Sequence, residues 1–192
     1  MAAIRDLATH AAAGRPFSAS GVSLLLMVWE AEIAQRASAA HEALTGPPRR
    51  PSDGVPLPPP PPPDAMSYRY TTDLAAVRAV VYRYAIAAGL PESRAIDLVL
   101  AVSEVAANTV RHAKSPGSLK IWYDSEEIIC QIQDDGVIAD PLAGRRQPSL
   151  EARGGHGLWI VNQVCDEVEM RSDETGTTIR LHMELPRLKP GS

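Results

Sequence analysis

Cysteine is scarce in this chain: Cys130 and Cys165 are the only two among 192 residues. Neither has the short spacing of a metal-binding pair, and no Cys/His cluster surrounds them, which argues against zinc chemistry. Two reduced, packed thiols are expected rather than a disulfide. A surplus of positive charge is also missing. Lys and Arg number 19 against 23 Asp and Glu, for a net charge of -4 and a pI near 5.7. That excludes the broad basic footprint of a nucleic-acid partner. A local site can still hold a nucleotide against the overall sign. Long apolar runs are absent too, since none approaches the roughly 20 residues needed to span a bilayer. The nearest is "VSLLLMVW" at 22–29, followed by "ASA" at 37–39. Glu30, Glu32 and Arg36 lie between them, where a signal-peptide cleavage region should be uncharged. The expected location is the cytoplasm, with no membrane partner.

Proline, by contrast, is abundant and concentrated. The segment "GPPRRPSDGVPLPPPPPP" (46–63) ends in six consecutive prolines. Lacking amide donors and with φ fixed, they form neither helix nor sheet ladder. A polyproline II spacer is expected. Ahead of it, Trp29, Ile33, Ala37, Ala40 and Leu44 form an amphipathic stripe that predicts a helix over about 20–45. The expected organisation is a helical extension (1–46), a Pro-rich linker (47–66), a main domain (67–187) and a short tail (188–192).

The main domain reads as α, α, β, β, loop, α, β, β. Residues 72–88 predict a helix stopped by Gly89-Leu90-Pro91, and a second helix runs from about 92 to 113. "SLKIWYD" (118–124) and "EIICQIQD" (127–134) predict a hairpin. A loop to about 153 leads to a third helix near Gly157, and strands at 168–172 and 177–185 flank the turn "DETG". Strands grouped as hairpins rather than βαβ units predict an α+β two-layer sandwich, a mixed sheet with helices on one face.

The second helix carries the first chemical signal. On a helical wheel, Asp97, Ala101, Glu104, Asn108, Arg111 and His112 share one narrow arc, while nearly everything else, Val110 included, is apolar or small. A solvated face would carry the usual Lys/Glu mixture. A carboxylate and an amide oxygen on adjacent turns are instead hard donors suited to Mg²⁺ beside phosphates. Glycines add a second signal. "DDGV" (134–137) ends a strand and "RGGHGLWI" (153–160) opens a helix, placing backbone N–H groups and a helix dipole where an anion could sit. "GTT" (176–178) enters the last strand. His112 at a helix end is read as a local hydrogen-bonding residue rather than a phospho-acceptor. Trp122 and Trp159 are read as packing rather than as base-stacking platforms.

Taken in order, Glu-x-x-x-Asn, Asp-x-Gly, Gly-x-Gly-Leu and Gly-Thr-Thr resemble the GHKL ATPase superfamily with its Bergerat fold. "LAVSEVAANTVRHA", "IQDDG", "GHGLWIVNQVCDEVE" and "GTTIRL" are most similar to its anti-sigma-factor serine/threonine kinases, over about residues 67–186. The resemblance implies ATP and Mg²⁺ as cofactors, with Asn108 on the metal and Glu104 as base for the phosphoryl acceptor. It implies Asp134 on the adenine amino group with Gly136 beside it, and Thr177 near adenine. Gly155, Gly157 and Leu158 would line the phosphates, and Arg153 would touch the terminal one. The implied partners are a sigma factor and a STAS-type anti-sigma antagonist, with a homodimer as a further expectation. Ile138 stands where that family usually has a second glycine, so the turn after Asp134 should differ, because a β-branched residue resists positive φ. Two alternatives accompany the kinase reading. One is a docking module with weak or no ATP turnover. The other is the ATP-binding half of a histidine kinase, against which stands the lack of a helical hairpin with a phospho-acceptor histidine.

Overall fold

The computed structural model describes residues 59–140, 143–145 and 156–186, with Gln35 alone in the N-terminal segment. The helix expected over 20–45, the loop prolines Pro141 and Pro148, Arg153, Gly155 and the tail lie outside the described residues. Strand β1 (Met66–Tyr70) leads into helices α1 (Leu74–Ala87) and α2 (Glu92–His112). Strands β2 (Gly117–Tyr123) and β3 (Glu127–Asp134), helix α3 (His156–Val164) and strands β4 (Glu167–Asp173) and β5 (Gly176–Glu184) follow.

Local chemistry explains the helix ends. Asp73 caps α1 by accepting the Ala76 N–H at 3.0 Å. At its far end Gly89, at φ +95°, closes a Schellman turn in which the Leu90 N–H reaches the Ala85 carbonyl at 3.0 Å. Only glycine adopts that backbone freely. Pro91 then starts α2, whose long run of small and β-branched residues suits a helix packed on several sides.

The five strands form one sheet in the order β1-β2-β3-β5-β4. Every pairing is antiparallel, which corrects the expectation of a mixed sheet. The crossover through α3 does make β4 run in the same direction as β3. Its hairpin partner β5, however, inserts between them, so the two parallel strands never pair. Strand β1 was not read from the sequence. Its five residues alternate weakly in burial and directly follow the proline run.

One face of the sheet meets the helices. Leu119, Ile121, Ile128, Cys130, Ile132, Ile179, Leu181 and Met183 pack there against Leu98, Val99, Val102, Val105 and Ala106 of α2. Both cysteines are buried free thiols, as expected. Trp159 joins Leu100 and Ile160 in a smaller core under α3. Val110, read with the apolar positions of α2, is 39% exposed, while its neighbour Thr109 takes the buried position in that turn. Among the described residues no helix is long and apolar enough to cross a membrane.

The opposite face carries Arg180, only 6% exposed. Its Nε donates to Gln131 Oε1 at 2.8 Å, its Nη2 donates to the Pro59 carbonyl at 2.8 Å, and its guanidinium lies 5.5 Å from the Trp122 ring centroid. The run of six prolines is thus tied to the sheet near its start.

Candidate functional site

Helices α2 and α3 lie antiparallel, and their two contacts differ in kind. At one end, Arg94 of α2 donates to the Val164 carbonyl at 2.8 Å and to Asp166 Oδ2 at 2.5 Å. At the other, Glu104 faces the first turn of α3. A β-carbon at Gly157 would lie 2.6 Å from Glu104 Oε2, so only glycine lets the carboxylate approach the helix start this closely. Burial lifts the Glu104 carboxyl above its ordinary value of 4.5, and the Arg111 charge pulls it part of the way back. Asn108 lies one turn further along α2, half-buried, with its Oδ1 accepting a long 3.4 Å bond from Arg111 Nη1. A desolvated carboxylate, an amide oxygen and a helix N-terminus therefore converge. Such a combination of groups can hold an anion with its counter-cation and accept a proton nearby.

A second group gathers at the ends of β3 and β5, where Asp134 and Thr177 are register partners. Asp134 Oδ1 accepts the Gly136 N–H at 2.8 Å, and its Oδ2 accepts the Thr109 hydroxyl at 2.5 Å. Thr177 Oγ1 donates to the Gly136 carbonyl at 2.7 Å and lies 2.7 Å from Ser172 Oγ. Ser172 Oγ also accepts the Ile138 N–H at 2.7 Å. These bonds fix the turn from Gly136 to Ile138 without a left-handed glycine, and the Ile138 side chain packs against the core. The altered turn expected from Ile138 is thus held by hydroxyls on β4 and β5. Gly176, at φ +133°, lies so close to the Asp134 carbonyl that a side chain there would collide with it.

Of the residues expected from the sequence, Glu104 meets Gly157 with Asn108 one turn further along α2, and Asp134, Gly136 and Thr177 come together in a second group. Leu158 packs its side chain on the core, and its carbonyl accepts the Asn162 side-chain amide at 2.8 Å. Arg153 and Gly155 lie outside the described residues. Asn108 and Thr109 are neighbours on α2, so this one helix serves both groups. Sequence reasoning missed Thr109, Tyr70 and Ser172. Thr109 follows Asn108 directly but falls off the polar arc, and Tyr70 and Ser172 carry no signal in the sequence. It also missed Gly144 (φ +76°), which lies so close to the Leu158 carbonyl that an added β-carbon would be 2.7 Å from it. Asp135 points away from both groups. Its Oδ1 accepts the Lys114 and Ser115 amides at 2.8 and 3.2 Å, and these backbone bonds hold its carboxyl below the usual range.

A sequence model of the histidine kinase-like ATPase domain matches residues 69–183, more than half of the chain. The chain belongs to the histidine kinase-like ATPase family. The α+β sandwich, the carboxylate–amide pair on α2 and the strand-end aspartate all fall within that match. The chain is also 32% identical over 89 residues to the serine-protein kinase RsbW of Halalkalibacterium halodurans, covering 40% of this chain and 55% of that protein. It thus spans about half the length of that relative. As a histidine kinase-like ATPase domain, the chain places all the residues of both groups on the layer formed by α2, α3 and the ends of β3, β4 and β5. Pro59 and the rest of the proline run lie before the matched segment.

Proposed function

We propose that this chain binds Mg-ATP between the two groups and transfers its γ-phosphoryl group to a serine or threonine of a protein partner. The partner is a STAS-type anti-sigma antagonist, and the chain itself acts as an anti-sigma factor. One observation carries this reading. Glu104 is drawn out of water against the α3 N-terminus, one turn from the Asn108 amide, and Asp134 is held as an acceptor beside the next residue of the same helix. The similarity to a serine-protein kinase supports it.

The residues fit the chemistry. Asn108 Oδ1 and the Glu104 carboxylate are hard oxygen donors, the type Mg²⁺ takes. Among the described residues no group of three or more His, Cys, Asp or Glu could hold a metal alone. An ion bound largely through phosphate oxygens suits such a site. When bound, Mg²⁺ neutralises phosphate charge, with Asn108 as its holder. The α3 N-terminus at Gly157 receives the phosphates, and the family resemblance gives Gly155 and Arg153 a part in the same role. Asp134, with Gly136 and Thr177, receives the adenine end. In the transfer, the acceptor hydroxyl oxygen bonds to the γ-phosphorus and the bond to the β–γ bridging oxygen breaks. ADP leaves with that electron pair, and Glu104 takes the hydroxyl proton. A carboxyl whose pKa is raised by burial is a better base for that proton than an exposed one.

The test is transfer of labelled γ-phosphate to a purified STAS-type protein, with Glu104→Ala alongside. Transfer that survives the substitution removes Glu104 from the reaction. A second reading, a docking module with weak or no turnover, is favoured by Ile138 in the second-glycine position. Calorimetry of Mg-ATP on the full chain and on Asn108→Ala separates the two. No heat from either favours docking, and equal heats from both remove the metal role of Asn108.

A further inference from the structure

The Asp134 carboxylate is reached by a buried chain of hydroxyls. Tyr70, on β1, is 3% exposed, and its ring lies over Gly117, its register partner on β2, so closely that a β-carbon there would collide with it. Its phenol donates to Thr109 Oγ1 at 3.1 Å. Thr109, 4% exposed, has one hydroxyl hydrogen and two acceptors in reach, Asp134 Oδ2 at 2.5 Å and the Val105 carbonyl at 3.4 Å. The nearer acceptor takes it. On its other oxygen Asp134 accepts the Gly136 N–H at 2.8 Å. Every described neighbour therefore donates to this carboxylate. What it presents to a ligand is lone pairs in a fixed direction.

We propose that Thr109, held in place by Tyr70, determines which purine this end of the site accepts. It fixes Asp134 as an acceptor, selecting a base with an exocyclic amine, as in adenine, over one with a carbonyl at that position, as in guanine or hypoxanthine. The inference rests on the nucleotide-binding reading above and extends it to base selectivity. A carbonyl oxygen facing a carboxylate leaves two acceptors opposed with no hydrogen between them, and neither side can turn away to relieve it. Asp134 is pinned by two donors, and its main donor, Thr109, is pinned by a third. The tyrosine remains a donor throughout, because burial pushes its phenol above the ordinary value of 10.0. Thr109 and Tyr70 are positioning residues in this scheme, since they act on the base through Asp134.

The experiment measures binding of Mg-ATP, Mg-GTP and Mg-ITP to the full chain by calorimetry or competition. The unaltered chain binds ATP at least about tenfold more tightly than either of the others. Thr109→Val keeps the shape but removes the donor. It lowers ATP affinity about tenfold and leaves GTP and ITP affinities in place, so the ratio collapses. Thr109→Ser keeps the hydroxyl and keeps the ratio. Tyr70→Phe, which leaves the ring over Gly117, moves the ratio the same way as Thr109→Val by about threefold, and it decides the matter if the valine variant does not fold. An ATP-to-GTP ratio that is unchanged in both Thr109→Val and Tyr70→Phe, in a chain that binds ATP, overturns the selectivity role and leaves the nucleotide site standing. No binding of any nucleotide by the unaltered chain overturns both.

Discussion

The two ends of the α2–α3 helix pair solve the same packing problem with opposite chemistry. At the Arg94 end a charge enters the seam and is answered in full. One nitrogen meets the Val164 carbonyl, another meets Asp166, and Asp166 also accepts the Glu184 amide at 2.9 Å. The guanidinium ties α2, α3, β4 and the end of β5 together. At the Glu104 end a charge also enters the seam, but among the described residues no hydrogen bond is made to it, and the Arg111 charge offsets its burial only in part. A glycine gives it room, and desolvation raises its pKa. The difference separates structure from function within one helix. A buried charge with satisfied partners fastens elements together, whereas one left without them is a source of instability that a fold keeps for a reaction.

The contrast can be broken at either end. The largest effect is expected at the Glu104 end, if that carboxylate is the base proposed above. Glu104→Gln removes the base and lowers labelled phosphoryl transfer by about a hundredfold or more, with the circular dichroism spectrum unchanged. Gly157→Ala comes next. Its methyl carbon needs space occupied by Glu104 Oε2, so the carboxylate must move, and transfer falls by about tenfold to a hundredfold with little change in the urea midpoint. The Arg94 end should give the mirror result. Arg94→Ala leaves the Val164 carbonyl without its side-chain donor and takes the guanidinium away from Asp166; it destabilises the fold by about 2 kcal/mol in urea titration, while Mg-ATP affinity below the unfolding midpoint is unchanged.

The smallest effect sharpens the comparison through pH. The native state holds the Glu104 proton more tightly than the unfolded chain does. Stability from this group therefore falls as pH rises from the ordinary value of 4.5 to the raised native value, and stays low above it. Glu104→Gln is accordingly expected to raise Tm at pH 7 and to leave it unchanged well below pH 4.5, where both states are protonated. A Tm that falls at neutral pH would mean that Glu104 fastens the seam as Arg94 does.

Much of this was legible in the chain itself. The first two helices and four of the strands stand within a residue or two of their expected limits, because the periods of three to four and of two are strongly expressed there; the third helix starts where expected but ends at Val164, before the Cys165–Val168 stretch that the sequence added to it. The polar arc on α2 was readable for the same reason. What escaped depended on distant parts of the chain. Strand β1 gains its identity from the hydrogen bonds offered by β2, and its own five residues say little. The direction of pairing escaped because hairpins fix neighbours only within each pair and do not say which strand a crossover leaves between them. Thr109 and Ser172 look like ordinary small polar residues until the fold brings Asp134 and the Ile138 amide to them. Ile138 did signal a turn different from the family's, but the two hydroxyls from β4 and β5 that hold it could not be read from the chain.

The carbonyl of Pro59 on Arg180 bears on where this folding unit begins. The family match starts at residue 69, ten positions after that oxygen. A fragment cut at the match would lose the first three residues of β1 and strip one of two acceptors from a guanidinium that is nearly sealed from water. By similarity the ATPase domain starts at residue 69; by its contacts the packed unit reaches back at least to Pro59.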